Sequence, residues 1–70
     1  MKVLILVEKA EDGFGAYAPD LPGCVAMGAT REETERLMRE AIEMHVEAMV
    51  KDGLPVPDLK TYATYVETAA

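Results

Sequence analysis

One stretch decides most of what this chain can become. Thr30 followed by Glu33 matches a capping box, in which the threonine hydroxyl accepts the amide three residues on and the glutamate reaches back to the cap amide. From there the residues Thr34, Leu37, Met38, Ala41, Ile42, His45, Ala48 and Met49 fall on one face at about 100° per residue, with Arg36, Glu40, Glu43 and Glu47 opposite. Glu35/Arg39 and Glu47/Lys51 sit at the i,i+4 spacing, and Gly53 supplies a stop. The spacing predicts one long amphipathic helix, and a helix with one apolar face needs something flat to cover.

Upstream lie three short runs that can make that surface. Val3-Leu4-Ile5-Leu6-Val7 reads as a strand apolar on both faces, and Asp12-Gly13 as its hairpin turn. Phe14 to Ala18 reads as a second strand that halts at Pro19. Asp20-Leu21-Pro22-Gly23 is turn punctuation before a third, Cys24 to Met27. Downstream, Pro55 and Pro57 enforce an extended connector, and Thr61 to Glu67, with Tyr62, Tyr65 and Val66, has the content of a fourth strand. The predicted fold class is α+β in the order β-β-β-α-β. Three strands form an antiparallel meander, the helix packs on one face, and a right-handed crossover brings the fourth strand parallel to the first, in spatial order 3-2-1-4.

Size bounds this reading. Seventy residues form one domain, and the surface scaling gives roughly 4,300 Å² folded against roughly 11,000 Å² unfolded, so about 60% of the surface can be buried. Cys24 is the sole cysteine, which excludes an internal disulfide and suits a reducing cytoplasm. No apolar run approaches the ~20 residues of a membrane span. The formal charge of -6 opposes binding to a phosphate backbone, because Arg31, Arg36 and Arg39 are interleaved with glutamates and do not form a basic face. It suits a basic partner.

A single helix covers only one face of the sheet, so either Leu4/Leu6 or Val3/Ile5/Val7 needs other cover. That points to self-association as a twofold dimer or higher homo-oligomer, with Val3, Ile5 and Val7 as interface candidates beside the helical Val46 and Val50. Cover by the tyrosines and the C-terminal tail is the alternative.

The run Gly13-Phe14-Gly15-Ala16-Tyr17-Ala18-Pro19-Asp20-Leu21-Pro22-Gly23-Cys24, followed by Gly28-Ala29-Thr30-Arg31-Glu32-Glu33, resembles the HicB family over nearly the whole chain, from about Met1 to Tyr65. The resemblance implies a partial, degenerate RNase H-like fold and the role of antitoxin to a HicA-type toxin. Such toxins resemble small basic double-stranded-RNA-binding domains that cut messenger RNA with a histidine. Longer family members carry a C-terminal helix-turn-helix or ribbon-helix-helix domain. This chain ends at Ala70 without one, so a single HicB-like domain over residues 1–70 is expected, with no direct DNA binding.

Residue by residue, little chemistry is expected. A working RNase H-type nuclease needs a carboxylate in the middle of its central strand, and Val3 to Val7 offers none. His45 reads as a structural histidine on the apolar stripe and Cys24 as a small buried hydrophobe, although a Cys24/His45 pair would need only hydrogen-bond reach and an orienting group to be reactive. Gly13 and Gly15 lack the following helix and Lys-Ser/Thr of a phosphate loop. Met27, Met38, Met44 and Met49 read mostly as gap-filling core. No catalytic residue, cofactor or metal is predicted. Asp20 reads first as a loop residue bonding the amides that follow it, and otherwise as a contact to a basic toxin. Glu43 and Glu47 are the next partner-binding candidates. The alternative function is an orphan oligomeric interaction or small-ligand-binding module with no toxin.

Overall fold

A computed structural model describes residues 1–69. Strands β1 (Leu6–Ala10), β2 (Gly13–Tyr17) and β3 (Val25–Gly28) are followed by the helix α1 (Arg31–Lys51). The sheet has the order β1-β2-β3, both pairings antiparallel, with Leu6 opposite Tyr17 and Tyr17 opposite Val25. The meander and the single helix on one face are as expected.

The strand limits differ from the sequence reading, and the difference has a cause. Apolar character marks burial, whereas ladder pairing follows the turn. The last β1–β2 pair is Ala10 with Gly13, so the hairpin loop is Glu11-Asp12, one position earlier than expected, and β1 runs on through the charged Glu8 and Lys9. A side chain at Gly13 would collide with the carbonyl oxygen of Gly28, and its φ of 156° favours glycine as well. At the other end, β2 turns away after Tyr17, so Val3, Leu4 and Ile5 lie beyond the β1–β2 ladder. The fourth strand expected over Thr61–Glu67 is not formed here. Residues 54–69 have no regular secondary structure, and Tyr62, Tyr65 and Val66 are 83%, 101% and 80% exposed.

The turn from β3 into α1 is tightly packed. Gly28 lies so close to the helix that a Cβ there would stand 2.7 Å from Thr34 Oγ1 and 2.9 Å from the Thr34 nitrogen. The Thr34 hydroxyl is buried and donates to the Thr30 carbonyl at 2.7 Å. At Thr30 the cap forms as predicted, Oγ1 accepting from the Glu33 amide at 3.1 Å. The returning Glu33 carboxylate accepts from Ala29 at 3.3 Å instead of from the cap amide. The helix closes with Gly53 at φ 71°, its amide donating to Val50 and that of Leu54 to Met49, which together form a Schellman cap.

The core is Ala16, Ala18, Leu21, Cys24 and Met38, with Val3, Ile5, Val7, Ala26, Ala41, Ile42 and Val46 packed against it. Of the four methionines read as core, Met38 is fully buried, but Met27 is 77% and Met44 71% exposed. Met27 points to the sheet face that α1 does not cover, and Met44 lies outside the buried stripe of the helix. Ala48, placed on the apolar face, is exposed too. Val3, Ile5, Val7 and Val46, the interface candidates, turn their side chains toward the core, while Val50 is 63% exposed. The uncovered face carries Tyr17, Val25 and Met27.

Candidate functional site

The row Glu35, Arg39, Glu43, Glu47 recurs every four residues along α1 and therefore runs down one flank of the helix. That flank faces the N-terminal segment leading into β1. Between them lies a shallow groove with an apolar floor of Val3, Ile5, Ile42 and Val46 and a rim of Glu35, Arg39, Glu43 and Glu47. The floor exists because Val3 and Ile5 overrun the end of β2, so that one side of their packing on the core stays open beside the helix.

Three carboxylates against one guanidinium make the rim acidic. The i,i+4 ion pairs that form are Arg31–Glu35 at 3.8 Å and Arg36–Glu40 at 3.5 Å, not the Glu35/Arg39 and Glu47/Lys51 pairs read from spacing. Among the described residues Glu43 and Glu47 have no ion-pair partner. Both are exposed, so their charge faces solvent. The structure thus brings two of the three partner-binding candidates together on one groove.

The third, Asp20, lies elsewhere. Its carboxylate does not bond the amides that follow it. Those of Leu21 and Cys24 donate to the carbonyls of Ala18 and Leu21, and the loop is held by its own backbone. Asp20 instead reaches 41 residues along the chain, accepting the Thr61 amide on Oδ2 at 2.9 Å and the Thr61 hydroxyl on Oδ1 at 2.6 Å. The Thr61 hydroxyl first, and then its amide, hold the carboxyl below its ordinary 3.8; partial desolvation opposes them and the charge of Lys60 adds to them. No local sequence rule couples positions so far apart.

His45 is half-buried and Cys24 is 4% exposed. Burial pushes the Cys24 thiol above its ordinary value, which lowers its reactivity. No hydrogen bond joins His45 to Cys24, and no cluster of three His, Cys, Asp or Glu side chains able to hold a metal is found among the described residues. No helix among them is long and apolar enough to cross a membrane. Chemically, the groove offers an apolar floor as contact area and an acidic rim complementary to positive charge.

Comparison with known proteins bears on the partner. Residues 3–70 match the family model described as the HicB-like antitoxin of bacterial toxin-antitoxin systems. The chain is 36% identical over 62 residues to a 14.9 kDa protein of the rep-hol intergenic region of Haemophilus phage HP1, covering 89% of this chain and 47% of that protein. It therefore spans about half the length of the phage relative. A UPF0150 protein of Synechocystis is 41% identical over 54 residues, 76% of this chain and 68% of the relative. Among solved structures, a chain of a HicA3 and HicB3 toxin-antitoxin complex superposes with a TM-score of 0.63 at 33% identity, over 77% of this chain and 66% of that one.

Proposed function

This chain belongs to the HicB-like antitoxin family, and from that premise we propose that it neutralises a small basic HicA-type toxin by binding it and masking its RNA-handling surface, without catalysing a reaction itself. The observation that carries the reading is the groove beside β1, where Glu43 and Glu47 stand unpaired above an apolar floor. A basic surface meeting that rim gains charge-assisted contacts, and the floor offers area that leaves water on binding. The overall charge of -6 would speed encounter more than it sets final affinity.

The same reading takes Thr61–Glu67 as the strand that completes the sheet beside β1, places the activity in the cytoplasm and needs no cofactor. Its test uses a purified HicA-type toxin with its histidine substituted, titrated against this chain at low and at moderate salt. Glu43→Lys with Glu47→Lys is expected to weaken binding at least tenfold, mostly through slower association, and to flatten the salt dependence. In the matching assay the unaltered chain blocks messenger RNA cleavage by active toxin and the double variant does so poorly. Equal affinity of the two forms would remove Glu43 and Glu47 from the contact. No binding by the unaltered chain would remove the toxin.

A further inference from the structure

The open side of β1 and the exposed end of the chain are complementary: the β1 edge has no strand beside it, and within one copy the segment 61–67 is held only at its start, where Thr61 bonds Asp20. Ala18 donates to Cys24 across the β2–β3 side of the sheet. The alternate residues of β2, Gly15 and Tyr17, therefore turn their backbone groups toward β1, where they meet Glu8 and Leu6. Val7 and Lys9 consequently aim theirs outward, and Val3 and Ile5 continue that row past the end of the ladder. Such a row of free donors and acceptors is a template for another strand. At the sheet's other edge β3 is only 4 residues long and turns at once into the helix.

The chain itself supplies a segment of the right chemistry. Thr61 to Glu67 is threonine- and tyrosine-rich, lies outside any secondary structure, and projects Tyr62, Tyr65 and Val66 into solvent. The whole chain exposes 5727 Å², about 1,400 Å² more than the roughly 4,300 Å² typical of a folded monomer of this mass. Its radius of gyration is 14.0 Å and its long axis 48 Å, against the radius of about 11 Å of a compact domain of this length. Each partner in an interface of standard size buries about 800 Å², so the excess is large enough for a stable dimer.

We infer that the Thr61–Glu67 arm of one copy adds as a fourth strand to the open β1 edge of a second copy, and that the exchange is reciprocal. Reciprocity closes the assembly at two, since both edges and both arms are then used. It also gives Val3, Ile5 and Val7 a place in the interface through their main chains, while their side chains stay on the core. The inference rests on the fourth-strand reading above and adds whose edge the strand occupies.

Three measurements on the full chain separate the outcomes. Sedimentation from 10 µM to 1 mM is expected to give a mass near 15 kDa, twice the 7.6 kDa of one chain. Amide exchange is expected to show protection in residues 61–67. In a mixture of isotope-labelled and unlabelled chains, contacts to Val3 or Val7 are expected between copies from whichever of Tyr62 and Tyr65 shares their face, since the two tyrosines alternate to opposite faces of a strand. Thr64→Pro, and separately Tyr65→Asp, should raise the dimer dissociation constant at least tenfold while leaving the helical circular dichroism unchanged, since both positions are exposed and outside the core. A protected arm in a monomer overturns the exchange but keeps the fourth strand. An unprotected arm overturns both. A dimer that survives both substitutions overturns the exchange alone. None of these outcomes depends on a toxin being bound.

Discussion

The two edges of the sheet are finished in opposite ways. On the β3 side the chain turns directly into α1, with Gly28 pressed against Thr34, the Thr34 hydroxyl bonded within the turn and Met38 fully buried beneath it. On the β1 side the helix packs more lightly, the backbone of the edge strand is free on one flank, and an acidic groove stays open. One edge holds the domain together and the other stays open, which is how a 70-residue chain with a thin core can keep an unsatisfied surface and still fold.

If that division is right, substitutions on the closed side should cost stability and those on the open side should cost association. Met38→Ala strikes hardest, removing a side chain with no exposed surface; a loss of about 2–5 kcal/mol is expected, read as a lower urea midpoint with an unchanged slope. Gly28→Val comes next. Its Cβ must displace the first turn of the helix, and overpacking of this kind costs about 1–3 kcal/mol. Thr30→Ala deletes the cap oxygen that accepts from Glu33 and should cost about 1 kcal/mol, with fraying confined to the start of α1 in amide exchange.

Asp20 sharpens the comparison, because it ties the C-terminal arm to the loop between β2 and β3. Its carboxyl is held below the ordinary 3.8 by the Thr61 hydroxyl and amide. The clamp is therefore fully present above the ordinary value and is lost as pH falls through the lowered one. The Thr61 amide resonance should titrate with a midpoint below 3.8, and Asp20→Asn should abolish that titration while leaving the midpoint of urea unfolding nearly unchanged. The smallest effect belongs to the solvent face of α1. Arg36→Ala removes an exposed ion pair and should change stability by less than about 0.5 kcal/mol. A larger loss would mean that the helix depends on its solvent side more than the packing implies.

What could be read from the sequence follows the range of the physics involved. The helix was legible from Thr30 to Gly53 because its caps and its periodicity are local, acting over three or four residues. The three-stranded meander was legible because Gly and Pro punctuate it. The paired limits of β1 were not, since Val3 to Ile5 are apolar on account of the helix and the groove, whereas pairing continues through Glu8 and Lys9, which no hydrophobic pattern marks. Glu43 and Glu47 could be chosen as exposed acids, but that they rim the same groove as Val3 depends on how α1 lies across the sheet. The contact of Asp20 with Thr61 had no signal at all, because two short polar residues 41 positions apart carry no shared period. Met27 and Met44 show the reverse error: residue type predicts burial only on average.

The solitary thiol has a use that none of its neighbours suggests. Cys24 sits among the few buried residues, and burial keeps it protonated. With a dye slow enough that the core recloses before most openings are marked, labelling will therefore follow the fraction of molecules that are open and leave the intact molecule unmarked. Every chain thus carries its own chemical clock for unfolding, placed beside Leu21 and Ala18, and the marking rate with and without a bound partner converts directly into how strongly that partner holds the domain shut.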